Sequence, residues 1–303
     1  MRLPLVVPRT LRPFYPTVDF PNSDHVARAG HEDGIKLLEH LPGESFPIVV
    51  EYQHRRYVAS SGKRRHYCQA PGTYPTEPVE AEFYASQLYS LLGCLVPRSC
   101  LYMCQVSFNH DQGRQPAIVP LLLTEFIDGA SIGDFLKQLE EMAQEKAQAT
   151  WLHVQRSLRN GYLVDCLLSN AAVVSANQRN VVVDRAFRPW RVDFSACLHM
   201  EPDGRLTPGC GTQTVVDISA LRKAVANQVP EPHPASAEYH IRRIFGLFTD
   251  AELVRMQQAL PEVAEFDLFL SLLASCAGAE IYAPWLRARL QSMRKATAEP
   301  SRR

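Results

Sequence analysis

Residues 161–170 read GYLVDCLLSN, and residues 193–195 read DFS. Asp165 and Asn170 are separated by four residues, and Asp193 stands near the end of a short β-rich segment. Transfer of a γ-phosphoryl group needs a carboxylate that orients and deprotonates the acceptor hydroxyl, and it needs hard oxygen ligands for Mg²⁺. The stretch therefore predicts Asp165 as a catalytic base and Asn170 and Asp193 as metal ligands.

Each of these residues also has a simpler explanation. Asp and Asn favour turns and helix ends for local reasons, so Asp165 and Asn170 could form a capping network and Asp193 a turn. A glutamate such as Glu82 is, on its own, more typical of a solvated helix face. The order of the neighbouring segments favours the chemical interpretation.

Those segments predict a strand-rich half followed by a helical half. Residues 80–92 have apolar side chains at three- and four-residue spacing, which predicts a helix that carries Glu82 and ends at Gly93. Residues 101–106 and 118–126 predict paired strands joined by a polar loop over 109–114. The other predicted elements are strands at 48–50, 57–58, 64–69, 180–184 and 190–194, and helices at 132–149, 152–168, 238–248, 250–259, 266–277 and 283–294.

In this order the segments resemble the kinase-like fold of the HipA and phosphatidylinositol-kinase-like group. The likeness rests on GYLVDCLLSNAAVV at 161–174, NVVVD at 180–184 and RVDFSA at 191–196, and it covers about half of the chain. It implies an α+β, two-lobed protein-kinase-like fold with a small strand-rich N-lobe and a mostly helical C-lobe.

The division expected from this likeness has three parts. Residues 1–40 are proline-rich and predict an extended arm, residues 41–130 the N-lobe with its hinge, and residues 131–303 the helical C-lobe that carries the catalytic and metal loop.

The resemblance also implies a nucleotide site and its cofactors, ATP and Mg²⁺. Glu82 matches the helix glutamate that pairs with a nucleotide-binding lysine, and Glu125, Phe126 and Ile127 match a hinge strand that offers backbone groups to adenine. The acceptor would be a hydroxyl on a protein, a lipid or a small molecule, because the fold does not choose between them.

Three departures from the family pattern bear on activity. Gln69 stands where a phosphate-anchoring lysine is expected, and only six of the 32 basic residues are lysines. Lys63 and Arg65 are the candidate replacements. Ala171-Ala172 and Ser195-Ala196 replace the family's Trp-Asp and Gly-Gly. Two functions follow: an atypical phosphotransferase, or a catalytically impaired pseudokinase that serves as a nucleotide- or partner-binding scaffold.

Composition narrows the class of protein further. The 303 residues hold 32 basic and 32 acidic side chains, and a net charge of zero argues against a main role in binding nucleic acid or an anionic membrane. The apolar stretch 266–279 contains Asp267 and is too short to span a membrane.

Eight scattered cysteines without a C-x-x-C pair fit a reducing compartment, so we expect a cytoplasmic protein, with a delivered effector acting inside another cell as the alternative. We expect a protein or a phosphorylated small molecule as partner, and the sequence does not indicate an oligomeric state.

Overall fold

A computed structural model of the protein describes residues 13–18, 36–41, 47–52, 54–60, 77–110, 113–170, 173, 179–194, 197–199, 237–274 and 279–296. Strands dominate the first part of this range and helices the rest. The architecture is therefore mixed, with a strand-rich N-terminal sheet and a helical C-terminal part. None of the helices that the described ranges contain has the length and apolarity needed to cross a membrane.

The larger sheet has six strands in the order β1-β5-β6-β4-β3-β2. Strand β1 runs parallel to β5, and the other neighbours are antiparallel. The strands are β1 (Pro13–Val18), β2 (Lys36–His40), β3 (Ile48–Tyr52), β4 (Arg55–Ser60), β5 (Ser99–His110) and β6 (Gly113–Glu125). Both outer strands come from residues 1–40, the segment that the sequence predicts to be an extended arm; the domain boundaries themselves stay a prediction.

The hairpin between β5 and β6 is longer than the sequence predicts. Asn109 pairs with Arg114 and His110 with Gly113, so four residues of the predicted loop belong to the ladder. The prediction of a loop over 109–114 is wrong because strands pair through backbone N–H and C=O groups, and residues with polar side chains have these groups as well.

Helix α1 (Glu77–Leu91) lies against this sheet and confirms the helix predicted over 80–92. Every residue from Ala81 to Tyr89 is buried, which explains why its apolar spacing is mixed rather than restricted to one face. Ser86 and Ser99 share a buried hydrogen bond of 2.8 Å that joins the helix to β5. The helix ends at Gly93, whose φ of 79° suits the left-handed residue that closes a Schellman motif.

Two predicted helices are divided differently in the structure. The helix predicted over 132–149 ends at Glu140 and resumes at Gln144, and the one predicted from 152 continues back to Gln144. Gly161 then separates a further short helix from its predecessor. The helices here are α2 (Ile132–Glu140), α3 (Gln144–Asn160) and α4 (Tyr162–Leu167).

A second, three-stranded sheet lies beside these helices in the order β7-β8-β9, with both pairs antiparallel. Its strands are β7 (Gly129–Ser131), β8 (Val181–Asp184) and β9 (Pro189–Arg191). This hairpin of β8 and β9 places Arg191 at a strand end and Asp193 two residues beyond it.

The C-terminal part is helical, as the sequence predicts. Its helices are α5 (Ala237–Phe245), α6 (Asp250–Gln258), α7 (Val263–Leu272) and α8 (Ala279–Ala296). Thr249 and Glu252 form the capping box that starts α6, which confirms the helix start predicted there. The buried apolar side chains of α1, the second sheet and these helices form one cluster, and a division into two lobes stays a prediction.

Candidate functional site

Asp165 lies in the interior, with 5% of its side chain exposed. Its Oδ1 accepts hydrogen bonds from Arg191 Nε at 2.6 Å and from Tyr89 Oη at 2.8 Å, and its Oδ2 accepts one from Arg191 Nη2 at 2.6 Å. Both carboxylate oxygens are therefore bound within the chain, in a two-point ion pair that is among the stronger kinds of polar contact.

Arg191 is held as firmly as its partner. Its side chain is 2% exposed, and Nη2 also donates to the carbonyl of Leu158 at 3.2 Å. Gly161 provides the space for the guanidinium, because a Cβ at this position would lie 2.6 Å from Nη2. A glycine between α3 and α4 is therefore a requirement of the buried arginine.

The pair shifts the pKa of both groups. Burial raises the pKa of the Asp165 carboxyl, and the Arg191 guanidinium and the Tyr89 hydroxyl offset only part of that rise. Burial would lower the pKa of Arg191, but the charge of Asp165 and its hydrogen bonds raise it. The arginine therefore stays charged and paired with Asp165.

Asn170 reaches the same cluster from the turn after α4. Its backbone amide donates to the carbonyl of Asp165 at 2.9 Å, across Ser169 in the left-handed region with φ 56°. Its Nδ2 donates to Tyr89 Oη at 3.1 Å. The side chain is 4% exposed, and Oδ1 is buried without a hydrogen-bond partner among the described residues. Such an oxygen is costly unless a ligand or water binds it.

Asp193 follows β9 and is partly buried. The neighbouring Phe194 is buried, and its ring centroid lies 5.2 Å from that of Tyr89. Burial raises the pKa of the Cys197 thiol, and the negative charges of Asp165, Asp193 and Glu82 raise it further. Asp165, Asp193 and Glu82 of α1 therefore lie near the same buried thiol, and Asn170 is joined to Asp165 through Tyr89.

The residue types in this region fit a magnesium ion. In the part of the chain that is described, no three His, Cys, Asp or Glu side chains are arranged to hold a metal ion. Mg²⁺ in phosphoryl-transfer sites is held by one or two protein oxygens together with water and substrate phosphates, so a complete protein cage is not needed. The unpartnered Asn170 Oδ1 and the Asp193 carboxylate are oxygen donors of the required kind.

The predicted hinge is only partly available to a nucleotide. The amide of Glu125 donates to the carbonyl of Arg98 at 2.8 Å, and the amide of Phe126 donates to that of Arg56 at 3.0 Å. The Arg56 guanidinium also lies 3.8 Å from the centre of the Phe126 ring. A nucleotide could use these two amides only by displacing contacts within the chain.

Several predicted positions fall outside the described residues. They include the candidate phosphate-binding side chains Lys63, Arg65 and Gln69, and the departures Ala171-Ala172 and Ser195-Ala196. Which cation faces a nucleotide phosphate therefore stays a prediction.

The sequence interpretation did not single out Tyr89, Arg191 or Gly161. Tyr89 is seven residues after Glu82, which is two helical turns and places both on one face of α1. Arg191 stands two residues before Asp193 in the stretch that carried the family resemblance, and Gly161 opens that stretch. The sequence held one indication of Arg191. Asp165 lies in an apolar helix, and a buried carboxylate there needs a cationic partner.

No protein-family model matches the chain, and no curated protein is similar to it in sequence. A solved structure similar to it is that of the Helicobacter pylori proinflammatory kinase CtkA, with 10% sequence identity over 95% of this chain and 100% of that chain. The TM-score is 0.45. A similarity of this size leaves the fold family and the activity open, and the resemblance to HipA and phosphatidylinositol-kinase-like proteins stays a prediction.

Proposed function

We propose that the chain is a divergent kinase-like phosphotransferase that uses ATP and Mg²⁺ to modify a hydroxyl acceptor. The observation that carries this proposal is Asn170 Oδ1, a buried amide oxygen without a partner among the described residues, in a cluster with Asp165. Leaving such an oxygen unbound costs about 1–3 kcal/mol, which a bound cation would recover.

In this proposal the metal ligands are Asn170 and Asp193. Bound Mg²⁺ would supply positive charge to the phosphates during transfer. Asn170 is positioned by the turn after α4 and Asp193 by the end of β9, so the two ligands come from separate elements that the ion pair of Asp165 and Arg191 fixes together.

Asp165 is the proposed base, and Arg191 controls it. The carboxylate is 5% exposed and both of its oxygens accept hydrogen bonds from Arg191, so an acceptor hydroxyl can reach it only if this buried ion pair opens. We expect this requirement to make transfer slow or dependent on the acceptor, since opening a buried ion pair is costly.

The second candidate function is a catalytically impaired pseudokinase that binds a nucleotide or a partner. The same ion pair favours it, because an Asp165 that never leaves Arg191 acts as a structural residue. Metal and nucleotide binding at Asn170 and Asp193 would survive in such a protein, whereas phosphate transfer would not.

Nucleotide binding is tested by thermal unfolding of the full chain with ATP, with and without Mg²⁺. We expect a stabilising shift that requires Mg²⁺ and that Asp193→Asn abolishes. A matched control is Asp267→Asn on α7, whose carboxylate pairs with Arg287 at a partly exposed position. Absence of a shift at millimolar ATP would refute the phosphotransferase and a nucleotide-binding scaffold, and it would leave a scaffold that binds a partner.

Transfer is tested separately with ATP labelled in the γ-phosphate. We expect incorporation into the protein itself or into a hydroxyl acceptor, and we expect Asp165→Asn to reduce it by at least 100-fold. Mg²⁺-dependent binding without incorporation would support the scaffold instead. Equal incorporation by wild type and Asp165→Asn would remove Asp165 from its proposed role.

A further inference from the structure

We infer that Tyr89 is the positioning residue that turns the oxygen of Asn170 toward the metal. This inference rests on the proposed function, because it assigns a task within the same site. The hydroxyl lies between the two groups that matter, 2.8 Å from Asp165 Oδ1 and 3.1 Å from Asn170 Nδ2.

The directions of these hydrogen bonds are fixed by chemistry. A carboxylate paired with arginine can only accept, so the single proton of the Tyr89 hydroxyl is donated to Asp165. The hydroxyl oxygen is then left to accept a hydrogen bond, and the amide group of Asn170 must present its Nδ2 rather than its Oδ1. The orientation that leaves Oδ1 available to a metal is therefore imposed by Tyr89 through Asp165.

Tyr89 performs this task without titrating. Burial raises the pKa of its hydroxyl well above the usual value, and the negative charge of Asp165 raises it further. The proton thus remains on the hydroxyl throughout the pH range in which a protein functions. Tyr89 acts on Asn170 by orientation and takes no part in proton transfer.

The tyrosine ring is itself held in place. Its centroid lies 5.2 Å from the Phe194 ring, next to Asp193, and 5.8 Å from the Arg191 guanidinium. The residue is fully buried in α1. A rigid ring of this kind can hold a ligand side chain in one orientation, and partners of metal ligands that act this way affect metal affinity by about 10–100-fold.

The test is a titration of Mg²⁺ at fixed ATP, read from the thermal unfolding of the full chain. We expect Tyr89→Phe to raise the Mg²⁺ concentration at half-effect by at least tenfold, because the Asn170 amide can then rotate. Tyr162→Phe is the matched control, since Tyr162 is also buried and its hydroxyl lies beside the Cys166 thiol. Thermal unfolding without ligand measures any loss of stability that the substitution itself causes. Such a loss alone would not change the Mg²⁺ concentration at half-effect.

A second variant, Asn170→Asp, separates the orientation of the Asn170 amide from other effects of Tyr89→Phe. In Asn170→Asp both side-chain atoms are oxygens, so the orientation no longer matters, and Tyr89→Phe should then change the Mg²⁺ dependence by less than twofold. A wild-type shift that needs Mg²⁺, together with the same half-effect concentration in Tyr89→Phe, overturns this inference and leaves the proposed function standing. A wild type without any Mg²⁺-dependent shift overturns both.

Discussion

Arg191 Nε and Nη2 bind Asp165 Oδ1 and Oδ2 at 2.6 Å each, in the interior of the protein. Arg191 belongs to β9 and Asp165 to α4, and the two residues are 26 positions apart in the sequence. The ion pair therefore fixes the hairpin of β8 and β9 to the helix that carries the proposed base. Removal of one partner leaves a buried charge without compensation.

Arg191→Met is expected to lower the free energy of unfolding by about 3–5 kcal/mol, because it leaves the Asp165 carboxylate buried and unpaired. The double variant with Asp165→Leu should recover at least half of that loss. Urea unfolding measures both. Arg287→Met is the control, since Arg287 pairs with Asp267 at a partly exposed position and should cost no more than about 1 kcal/mol. Equal losses for the two arginine variants would contradict the energetic role assigned to burial.

Gly161→Ala is expected to destabilise the protein by about 1–3 kcal/mol, because the new methyl group would meet the Arg191 guanidinium. The guanidinium cannot move aside without releasing Asp165 or the carbonyl of Leu158. In the Arg191→Met background the same change should cost less. A cost that is identical in both backgrounds would show that the glycine serves another purpose.

Asp184→Asn is expected to produce a loss of stability that depends on pH. Burial would raise the pKa of Asp184, but hydrogen bonds from the Arg188 and Ala186 amides and from the Trp190 and Arg188 side chains outweigh it and lower the pKa to about 2. The distances are 2.8–2.9 Å. A carboxylate with a lowered pKa stabilises the folded state above its ordinary value of 3.8, and this contribution is lost as the pH falls through about 2.

The expected difference between wild type and Asp184→Asn is about 1–2 kcal/mol at pH 7, since an amide keeps some of the hydrogen bonds. It should shrink between pH 4 and pH 2 and be close to zero below that range. Urea unfolding across this pH range measures it. A difference that stays constant down to pH 2 would show that the charge of the carboxylate is not its source.

Ser169→Gly is expected to stabilise the protein by about 0.5–1 kcal/mol, because glycine adopts a φ of 56° without steric cost. The substitution also removes a buried hydroxyl that has no hydrogen-bond partner among the described residues. His54→Gly is a companion variant, with a φ of 60° at an exposed turn between β3 and β4. Thermal unfolding should show a gain for both, and a loss for Ser169→Gly would indicate that its hydroxyl has a role in the turn.

Local patterns in the sequence were sufficient for most of the elements. The helix over α1, the strands β3, β5, β6 and β8, and the capped start of α6 follow from apolar spacing, β-branched residues and the Thr249 cap, all of which act over a few neighbouring residues. A common site for Asp165, Asn170 and Asp193 was expected from their order along the chain, and their roles in it stay a prediction.

The ion pair of Asp165 with Arg191 could not be predicted in the same way. It joins two elements that are distant in sequence, and one arginine among many carries no local sign of its partner. The break at residues 141–143 was missed for a related reason, since the helical spacing continues on both sides of it and tertiary packing decides where each helix turns. Local sequence patterns therefore do not predict element boundaries that depend on contacts between elements.

Helix α1 has one consequence for how the protein can move. Because its residues from Ala81 to Tyr89 are enclosed on all sides, it cannot shift as a rigid body without opening the hydrophobic core. Its amide hydrogens should therefore exchange with solvent only through global unfolding, at the slowest rates in the chain. Tyr89 and Glu82 should therefore stay in place, and among the described elements we expect the β8–β9 hairpin or the turn after α4, rather than α1, to move when the Asp165 site opens.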